Sequence, residues 1–469
     1  MTPPVPALAD RAAACADALR ASDEVLVASH IDADGLTSAA VAAKALERAE
    51  ISYTVFFSKQ LSAEEIEGMA AGPYETVLFT DFGSGQLAEI APYEAEGSIT
   101  PIVCDHHEPD GTETAYHLNP LLFGIDGSRE LSGAGTTYVL ARALEEQCDN
   151  RDLSALAVVG AVGDMQASDG ELNGANERIV EEGVEVGVLD TGSDLALYGT
   201  QTRPLPKLLE YAGDVRIPGI TNDTTGVRQF LDEHDIPVKS GDEWRRWVDL
   251  TADEKQRLVS GLIRRAVASG VPAKRIEMLV GTTYTLVAED EGTELRDASE
   301  FSTLLNATAR YERADVGLGV CLGDREAAYT RAKRLLANHR RNLSEGIEWV
   351  QSTGVTVEPN LQWFDAGDRI QDTIVGIVAG MALGGGGVKA DRPIIAFAEE
   401  SPTETKVSSR GTGRLVGDGL DLSVVMREAS TAVGGDGGGH TIAAGATIPA
   451  GTEEEFIERA NDIIGEQLG

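Results

Sequence analysis

Aspartates and histidines follow several short apolar segments of the sequence, at points where strands or helices would end. These residues are His30, Asp32, Asp34, Asp81, Asp105, His106, His107 and Asp164. Carboxylates gathered in one cleft repel each other unless cations neutralise them. Mixed imidazole and carboxylate ligands suit manganese, iron, cobalt or zinc, whereas magnesium prefers oxygen ligands. The set is too large for one ion and fits two, and two ions about 3.5–4 Å apart assist in-line displacement at phosphorus.

The segments that precede these residues predict an α/β fold with a doubly wound parallel sheet. Strands are predicted at Val25–Ser29, Ile51–Phe57, Val77–Thr80 and Ile102–Cys104, and helices at Leu36–Ala49, Ala63–Ala70, 133–147, 152–161 and 174–187. Alternation of strands and helices is typical of a parallel sheet with helices on its faces. Such sheets bind ligands at the carboxyl ends of their strands. The aspartates and histidines are therefore expected to converge at that edge.

The rest of the sequence predicts two further regions. We expect three domains, with residues 1–190 binding metal, 191–350 forming a helical middle segment, and 351–469 forming a smaller α/β domain. Helices are predicted at 251–268, 324–345 and Leu420–Ala429, strands at Met278–Ala288, Pro393–Phe397 and Lys406–Ser409, and loops at Gly384–Gly387 and Gly434–Gly439. The loops are predicted because glycine tolerates positive φ.

The composition is extremely acidic, with a formal net charge of −38 distributed along the whole chain of 469 residues. Lysine is scarce, and the balance resembles that of proteins from salt-loving archaea. This charge would argue against binding to phosphate backbones at low ionic strength, but molar salt screens charges within about 3 Å. The charge therefore indicates a high-salt habitat and does not decide whether the protein binds nucleic acid.

The cysteines and the apolar segments indicate an intracellular protein. The four cysteines are widely spaced, as expected for free thiols in a reducing compartment. Neither a signal peptide nor an apolar run of membrane-spanning length is present in the sequence. We expect a cytoplasmic protein with no membrane partner.

The motifs together resemble those of the DHH phosphoesterase superfamily. His30-x-Asp32-x-Asp34-Gly35, Asp81, Asp105-His106-His107 and Asp164 match its four motifs in order, and His117-Leu-Asn119-Pro120 and Asn176-Glu-Arg178 also fit. Ser408-Ser409-Arg410, Gly437-Gly438-Gly439-His440 and Ala443-Ala444-Gly445 resemble the accessory DHHA1 domain. Arg296–Ala307 and Gly317-Leu-Gly resemble the segment that RecJ-like archaeal nucleases carry before that domain. Bacterial members place an aspartate where this chain has His30.

The resemblance implies a role for each motif residue. His30, Asp32 and Asp81 would hold one divalent ion, and Asp34, Asp81, His106 and Asp164 the other, with Asp81 bridging. Mn²⁺ is the expected metal, with Mg²⁺ or Co²⁺ as alternatives. His107 and Asp105 would be catalytic, with His107 assisting at the phosphoryl oxygen or leaving group and Asp105 orienting a histidine. Arg410, Gly437, Gly438, Gly439 and His440 would bind substrate phosphate across an interdomain cleft that holds the active site.

Three functions fit this resemblance. The first is a RecJ-like exonuclease acting on single-stranded DNA or RNA in repair or replication. The second is a small-molecule phosphohydrolase such as a nano-RNase, a phosphoadenosine phosphatase or a cyclic-dinucleotide phosphodiesterase, although compact members lack the long middle segment. The third is a replication-fork scaffold associated with GINS and the replicative helicase. Complete metal motifs favour catalysis over a purely structural role, although both roles can coexist in one protein.

Overall fold

The computed structural model describes residues 3–145, 148–167, 170–213 and 215–469. The chain divides into two compact units, Met1–Lys333 and Arg334–Gly469. The domain boundaries predicted at 190 and 350 stay a prediction. Among the described residues, no helix combines the length and apolar character needed to cross a membrane.

The first unit contains most of the helices. They are α1 (Ala9–Arg20), α2 (Ala33–Arg48), α3 (Ala63–Ala70), α4 (Leu87–Glu96), α5 (Gly133–Ala143), α6 (Ser154–Gly163), α7 (Ala175–Glu185), α8 (Leu205–Glu210), α9 (Thr224–Glu233), α10 (Ala252–Ala268), α11 (Ala273–Glu277), α12 (Ala298–Arg310), α13 (Ala314–Cys321) and α14 (Ala327–Thr353), which contains the division between the units. Its strands are β1 (Glu24–His30), β2 (Ser52–Ser58), β3 (Thr76–Thr80), β4 (Thr100–Cys104), β5 (Tyr116–Leu118), β6 (Leu189–Leu195), β7 (Lys239–Ser240), β8 (Glu243–Trp244) and β9 (Val280–Leu286).

The main sheet of the first unit is parallel, as predicted. Its five strands lie in the order β2-β1-β3-β4-β5, and each neighbouring pair is parallel. All five residues of β3 are buried, which is typical of a strand covered on both faces. Chain order reverses between β1 and β3, and ligands of doubly wound sheets bind at such a reversal.

Helix α2 begins immediately beyond the end of β1 because two residues permit a tight connection. The side chain of Asp32 caps the helix by accepting a hydrogen bond from the Gly35 amide. A Cβ atom at Gly35 would lie 2.1 Å from the carbonyl oxygen of His30. Only glycine therefore allows the helix to start this close to the strand.

The second unit is a smaller α/β domain. Its elements after α14 are β10 (Thr356–Val357), β11 (Gln362–Asp365), α15 (Asp372–Ala382), β12 (Ile394–Ser401), β13 (Glu404–Arg410), α16 (Gly413–Gly417), α17 (Leu422–Ala432), β14 (Asp436–Gly439), β15 (Ala443–Pro449) and α18 (Glu453–Leu468). The six strands form one mixed sheet in the order β10-β11-β12-β13-β15-β14. One side of this sheet packs with α17 and α18 residues around Phe397 and Phe456.

The structure corrects several predicted elements. The predicted loop Gly434–Gly439 is wrong in its last four residues, because Asp436–Gly439 forms edge strand β14, paired with β15. A side chain at Gly437 would lie 2.9 Å from both the Met426 carbonyl oxygen and the Ser430 hydroxyl, so glycine allows this strand to approach α17. The helix predicted at 133–147 ends at Ala143, and its last two residues lie outside the described residues. Helices α1, α4, α12 and α18 are among the elements that were not predicted.

Glu300 is a fully buried carboxylate on α12. It accepts hydrogen bonds from the Gln201 amide, at 2.7 Å, and from the Thr202 hydroxyl. Burial raises the pKa of Glu300 to about 7, although these hydrogen bonds partly oppose the shift. The folded protein therefore binds a proton here more tightly than the unfolded chain does.

This difference predicts a pH-dependent loss of stability that Glu300→Gln would remove. Because the folded-state pKa lies above the unfolded value of 4.5, the favourable contribution is present below that value and is lost as pH rises through about 7. The free energy of unfolding of the variant, relative to wild type, should rise by up to roughly 3 kcal/mol between pH 4.5 and 8. Denaturant unfolding of both proteins across this range measures it, and a constant difference would contradict the prediction.

Candidate metal centre

The predicted metal ligands lie together at the point between β1 and β3 where the order of the strands in the sheet reverses. His30 is the last residue of β1, and Asp81 follows β3 directly. Their side chains, with Asp32, form one group whose ligand atoms lie within 4.8 Å of one another. Asp34, His106 and Asp164 form a second such group. The structure therefore places all six predicted ligands in two adjoining clusters.

Asp81 lies between the two clusters. Its Oδ2 atom is 3.4 Å from Nδ1 of His30, and its Oδ1 atom is 3.2 Å from Nε2 of His106. The residue is 2% exposed, and Oδ1 has no hydrogen-bond partner although it is buried. Asp81 also adopts a left-handed backbone conformation with φ of 60°, and such strain is often found at functional sites. A buried carboxylate oxygen without a hydrogen-bond donor is costly unless a positive charge compensates it, as a bound cation would.

The ring of His106 is fixed through its Nδ1 atom. Its Nδ1 atom lies 2.6 Å from the carbonyl oxygen of Gly127, so Nδ1 carries the proton and donates. Nε2 faces Oδ1 of Asp81 at 3.2 Å and Oδ2 of Asp34 at 3.7 Å. Although burial opposes it, the contact with Asp81 holds the pKa of His106 well above its usual value, so Nε2 binds a proton in the metal-free protein at the position where a metal ion could replace it. Metal-bound histidines usually donate their second nitrogen in this way.

The two aspartates of the first motif are fixed by helix amino termini. Oδ1 of Asp32 caps α2, and its Oδ2 lies 3.2 Å from Nδ1 of His30. Asp34 accepts the amides of Gly133 and Ala134, at 2.7 and 3.0 Å, where α5 begins. Negative charge is favoured at a helix amino terminus, so α5 holds a carboxylate that is only 2% exposed.

Asp164 ends helix α6 and is held by a buried amide network. Its Oδ2 atom accepts a 2.9 Å hydrogen bond from Nε2 of Gln166. The same nitrogen donates to the carbonyl oxygen of Gly127, which also accepts from His106. Asn176 donates to the other end of Gln166 at 2.6 Å. Gln166 therefore links the positions of two predicted ligands.

Asp105 organises the turn that carries both histidines. Its Oδ1 atom accepts the amides of His106 and His107 and lies 2.8 Å from Nδ1 of His107, and its Oδ2 accepts the Ser84 amide. Asp105 is fully buried, whereas the side chain of His107 is 55% exposed. Burial alone would raise the pKa of Asp105, but its hydrogen bond with His107 lowers it to about 2. Asn119 donates to the His107 carbonyl at 2.9 Å and completes the turn.

The electrostatics of the cluster favour added positive charge. Burial, followed by the charges of Asp81 and Asp164, holds the pKa of Asp34 well above its usual value. Burial likewise raises the pKa of Asp164 to about 6. The pKa of His30 rises to about 11, since its contacts with Asp32 and Asp81 outweigh the effect of burial. The carboxylates thus retain protons, or draw protons to the histidines, in the absence of a cation.

The predicted phosphate-binding residues lie on strands β13 and β14 of the second unit, which flank β15, and in the turn that follows β14. Arg410 ends β13 and is paired with Ala443 in β15, while Gly437–Gly439 pair with the following residues of β15. His440 begins the tight turn between β14 and β15, where its amide donates to the Ala443 carbonyl at 2.9 Å. The sheet therefore brings Arg410, Gly439 and His440 to the same end of these strands, on either side of β15. Their role in binding phosphate stays a prediction.

Several positioning groups were missed by sequence reasoning. They are Gly127, Gly133, Ala134, Gln166 and Asn306. Ser132 followed by Gly-Ala-Gly is a helix-start signal that could have indicated the α5 amino terminus. Gln166 and Asn306 act through contacts that no local pattern reveals.

Comparison with known proteins adds family evidence to this geometry. The profile "DHH family, N-terminal domain" matches residues 24–161, "DHH-CID domain" matches 197–280, and "DHHA1 domain" matches 360–466. The uncharacterized protein MJ0831 of Methanocaldococcus jannaschii is 32% identical over 452 residues, covering 95% of this chain and 94% of that relative. The chain belongs to the DHH/DHHA1 superfamily.

Solved structures share the fold of this DHH/DHHA1 protein. Two RecJ structures bound to manganese, one from Thermus thermophilus and one described as an exonuclease, each have a TM-score of 0.60 at 19% identity and cover 98% of this chain. The chain spans 55% of the former and 94% of the latter. CDC45 from Entamoeba histolytica has a TM-score of 0.66 at 11% identity, with 96% of this chain and 97% of that one covered. These matches confirm the predicted fold class.

Proposed function

We propose that this DHH/DHHA1 protein is a two-metal-dependent exonuclease that hydrolyses phosphodiester bonds of single-stranded nucleic acid. The observation that carries the proposal is the position of Asp81, which directs one oxygen toward His30 and the other toward His106. A carboxylate in that position can bridge two ions. RecJ structures with the same fold contain manganese or magnesium, and we propose Mn²⁺ for this chain with Mg²⁺ as an alternative.

The donor set fits two cations. His30, Asp32 and Asp81 would hold one ion, and Asp34, Asp81, His106 and Asp164 the other. When bound, such ions supply an activated water and neutralise charge on the phosphoryl oxygens. The chain itself keeps the ligands in place through the α5 amino terminus, Gln166 and Asp105. This arrangement supports a preorganised site.

His107 would contact the substrate rather than a metal ion. Asp105 holds its Nδ1 atom, and the exposed remainder of the ring leaves Nε2 available for a phosphoryl oxygen or leaving group. Asp105 would act as a positioning residue. In the second unit, Arg410 could pair with a phosphate bidentately, with the His440 side chain as a second partner, and the backbone of Gly437, Gly438 and Gly439 would lie near the same anion.

His107→Ala is expected to reduce kcat about a hundredfold or more while leaving Mn²⁺ affinity unchanged. The reason is that His107 assists the reacting phosphate but would not ligate the ions. Steady-state kinetics together with calorimetric Mn²⁺ titration measure the two effects separately. A marked loss of Mn²⁺ affinity would show that His107 is a ligand, as its proximity to Asp81 and His106 would permit.

The nuclease proposal is tested with 5′- and 3′-labelled single-stranded DNA and RNA oligonucleotides. Mn²⁺ and molar KCl are used because the net charge of −38 requires screening before a polyanion can approach. Release of mononucleotides that Asp81→Asn abolishes would establish the activity, its polarity and its sugar preference. Intact oligonucleotides in the presence of bound Mn²⁺ would overturn it and favour a small phosphoester substrate.

A replication scaffold is the second candidate function. It is favoured by the fold shared with CDC45 over nearly the full length of both chains. Association with GINS would not require metal ligands, so Asp81→Asn should bind GINS as well as wild type does. Failure of GINS to co-purify from native extract would count against this role without affecting the nuclease proposal.

A further inference from the structure

Helix α12 lies in the segment that resembles the RecJ-like middle region, and it contacts the metal centre directly. The side-chain oxygen of Asn306 accepts a 3.0 Å hydrogen bond from the backbone amide of Ala33. Ala33 lies between the predicted ligands Asp32 and Asp34 and is the first residue of α2. Asn306, which is 273 positions away in the sequence, thus contacts the single residue that separates these two predicted ligands.

The Ala33 amide needs an external acceptor. The first amides of a helix have no acceptor within the helix. In α2, the Asp32 side chain satisfies the amide of Gly35, and the Asp32 carbonyl satisfies that of Leu36. Ala33 is 1% exposed, so water cannot replace Asn306 without local opening. Removal of the Asn306 oxygen would leave a buried donor unsatisfied.

Helix α12 also packs against the segments that carry residues of both clusters. A Cβ atom at Gly163, the residue before Asp164, would lie 2.8 Å from the Ala33 side chain and 3.2 Å from that of Ser302. Ser302 on α12 therefore packs where the segments bearing Asp34 and Asp164 meet. At the start of α12, buried Glu300 holds the Gln201 amide. The first turn of α12 is thus hydrogen-bonded to Gln201, and its later residue Asn306 contacts the segment between Asp32 and Asp34.

We propose that Asn306 is a positioning residue that sets the relative placement of Asp32 and Asp34 and thereby the affinity for divalent cations. The two aspartates belong to different clusters, so the backbone between them determines whether both ions are held at once. This inference rests on the proposed metal binding and extends it to the middle segment. It gives a function to a side chain that is remote in sequence and is not itself a predicted ligand.

The test compares variants of similar size at position 306 in the full-length protein. Asn306→Leu removes the acceptor, whereas Asn306→Asp retains one. Thr303→Val is the matched control, because the only described hydrogen bond of the Thr303 side chain is to Ser299 within the same helix. Calorimetric titration with Mn²⁺ measures affinity, and hydrogen–deuterium exchange of the metal-free proteins reports on residues 30–36. Asn306→Ala provides a second deletion variant if Asn306→Leu does not fold.

Asn306→Leu is expected to weaken Mn²⁺ binding about tenfold or more, the usual effect of losing a group that orients a ligand. Exchange at 30–36 should become faster in the same variant, while Asn306→Asp and Thr303→Val remain close to wild type. Unchanged Mn²⁺ affinity in both deletion variants, with only a lower melting temperature, would overturn the role of Asn306. Absence of Mn²⁺ binding by the wild type would instead overturn the proposed function, and the two failures are therefore distinguishable.

Discussion

Asp81→Asn is expected to lower phosphodiester hydrolysis at least about a thousandfold, or ~4 kcal/mol of transition-state stabilisation. Asp81 faces both clusters, with one oxygen toward His30 and the other toward His106. The amide of asparagine carries no charge and offers only one oxygen, so it cannot bridge two ions. Mn²⁺ stoichiometry measured by calorimetry should fall below that of the wild type, in parallel with the activity.

The fold of Asp81→Asn should be preserved. Asparagine tolerates the left-handed conformation that Asp81 adopts, with φ of 60°. The substitution relieves the repulsion that helps to raise the pKa of Asp34, but it also removes the charge whose contacts with His30 and His106 hold the pKa of Asp81 below its usual value. The metal-free variant should therefore remain folded, with a melting temperature somewhat lower than that of the wild type.

A matched control is Asp421→Asn, which exchanges the amino-terminal cap of α17 for another good cap. It carries the same chemical change at a residue that belongs to neither cluster. The control should retain full activity and Mn²⁺ binding. Near-normal hydrolysis by Asp81→Asn would contradict a bridging role and leave each cluster to act alone.

The convergence of the candidate ligands could be predicted because the carboxyl ends of parallel strands meet at one edge of the sheet. Val25–Ser29 and Val77–Thr80 are too apolar to be anything but buried, so His30 and Asp81 must emerge at the same edge. The helix boundaries nearby followed from the same signals, as the N-capping Asp32 shows. Short-range pattern and fold-level rules agreed there.

The positioning groups could not be predicted in this way. Gln166 is two residues from Asp164 but acts by donating to a carbonyl at Gly127, and Asn306 acts on Ala33 across most of the chain. Such contacts depend on how α6 and α12 pack, which periodicity does not specify. Strand β14 was missed because a run of glycines has the composition of a loop. In the structure these glycines pair with β15, and the close approach of the strand to α17 requires glycine at position 437.

Gly133→Ala is expected to reduce activity about a hundredfold or more, because small displacements of reacting groups have effects of that size. A Cβ atom at Gly133 would lie 2.4 Å from Oδ1 of Asp81. Either the Asp81 side chain must rotate or α5 must withdraw. Withdrawal would also lengthen the 2.7 Å hydrogen bond from the Gly133 amide to Asp34, so both clusters lose geometry from one added methyl group.

Gly68→Ala is the control that separates this steric effect from the general cost of replacing a helical glycine. No atom lies within 4 Å of a Cβ at Gly68 in α3, so alanine there should stabilise the fold by about 1 kcal/mol. Its kcat and Mn²⁺ affinity should match those of the wild type. Added Mn²⁺ should not restore Gly133→Ala fully, since the methyl group occupies the space of the Asp81 carboxylate. Full recovery of activity at high Mn²⁺ would instead mean that α5 adjusts its position. The close approach at Gly133 would then affect only the affinity for Mn²⁺ and not kcat.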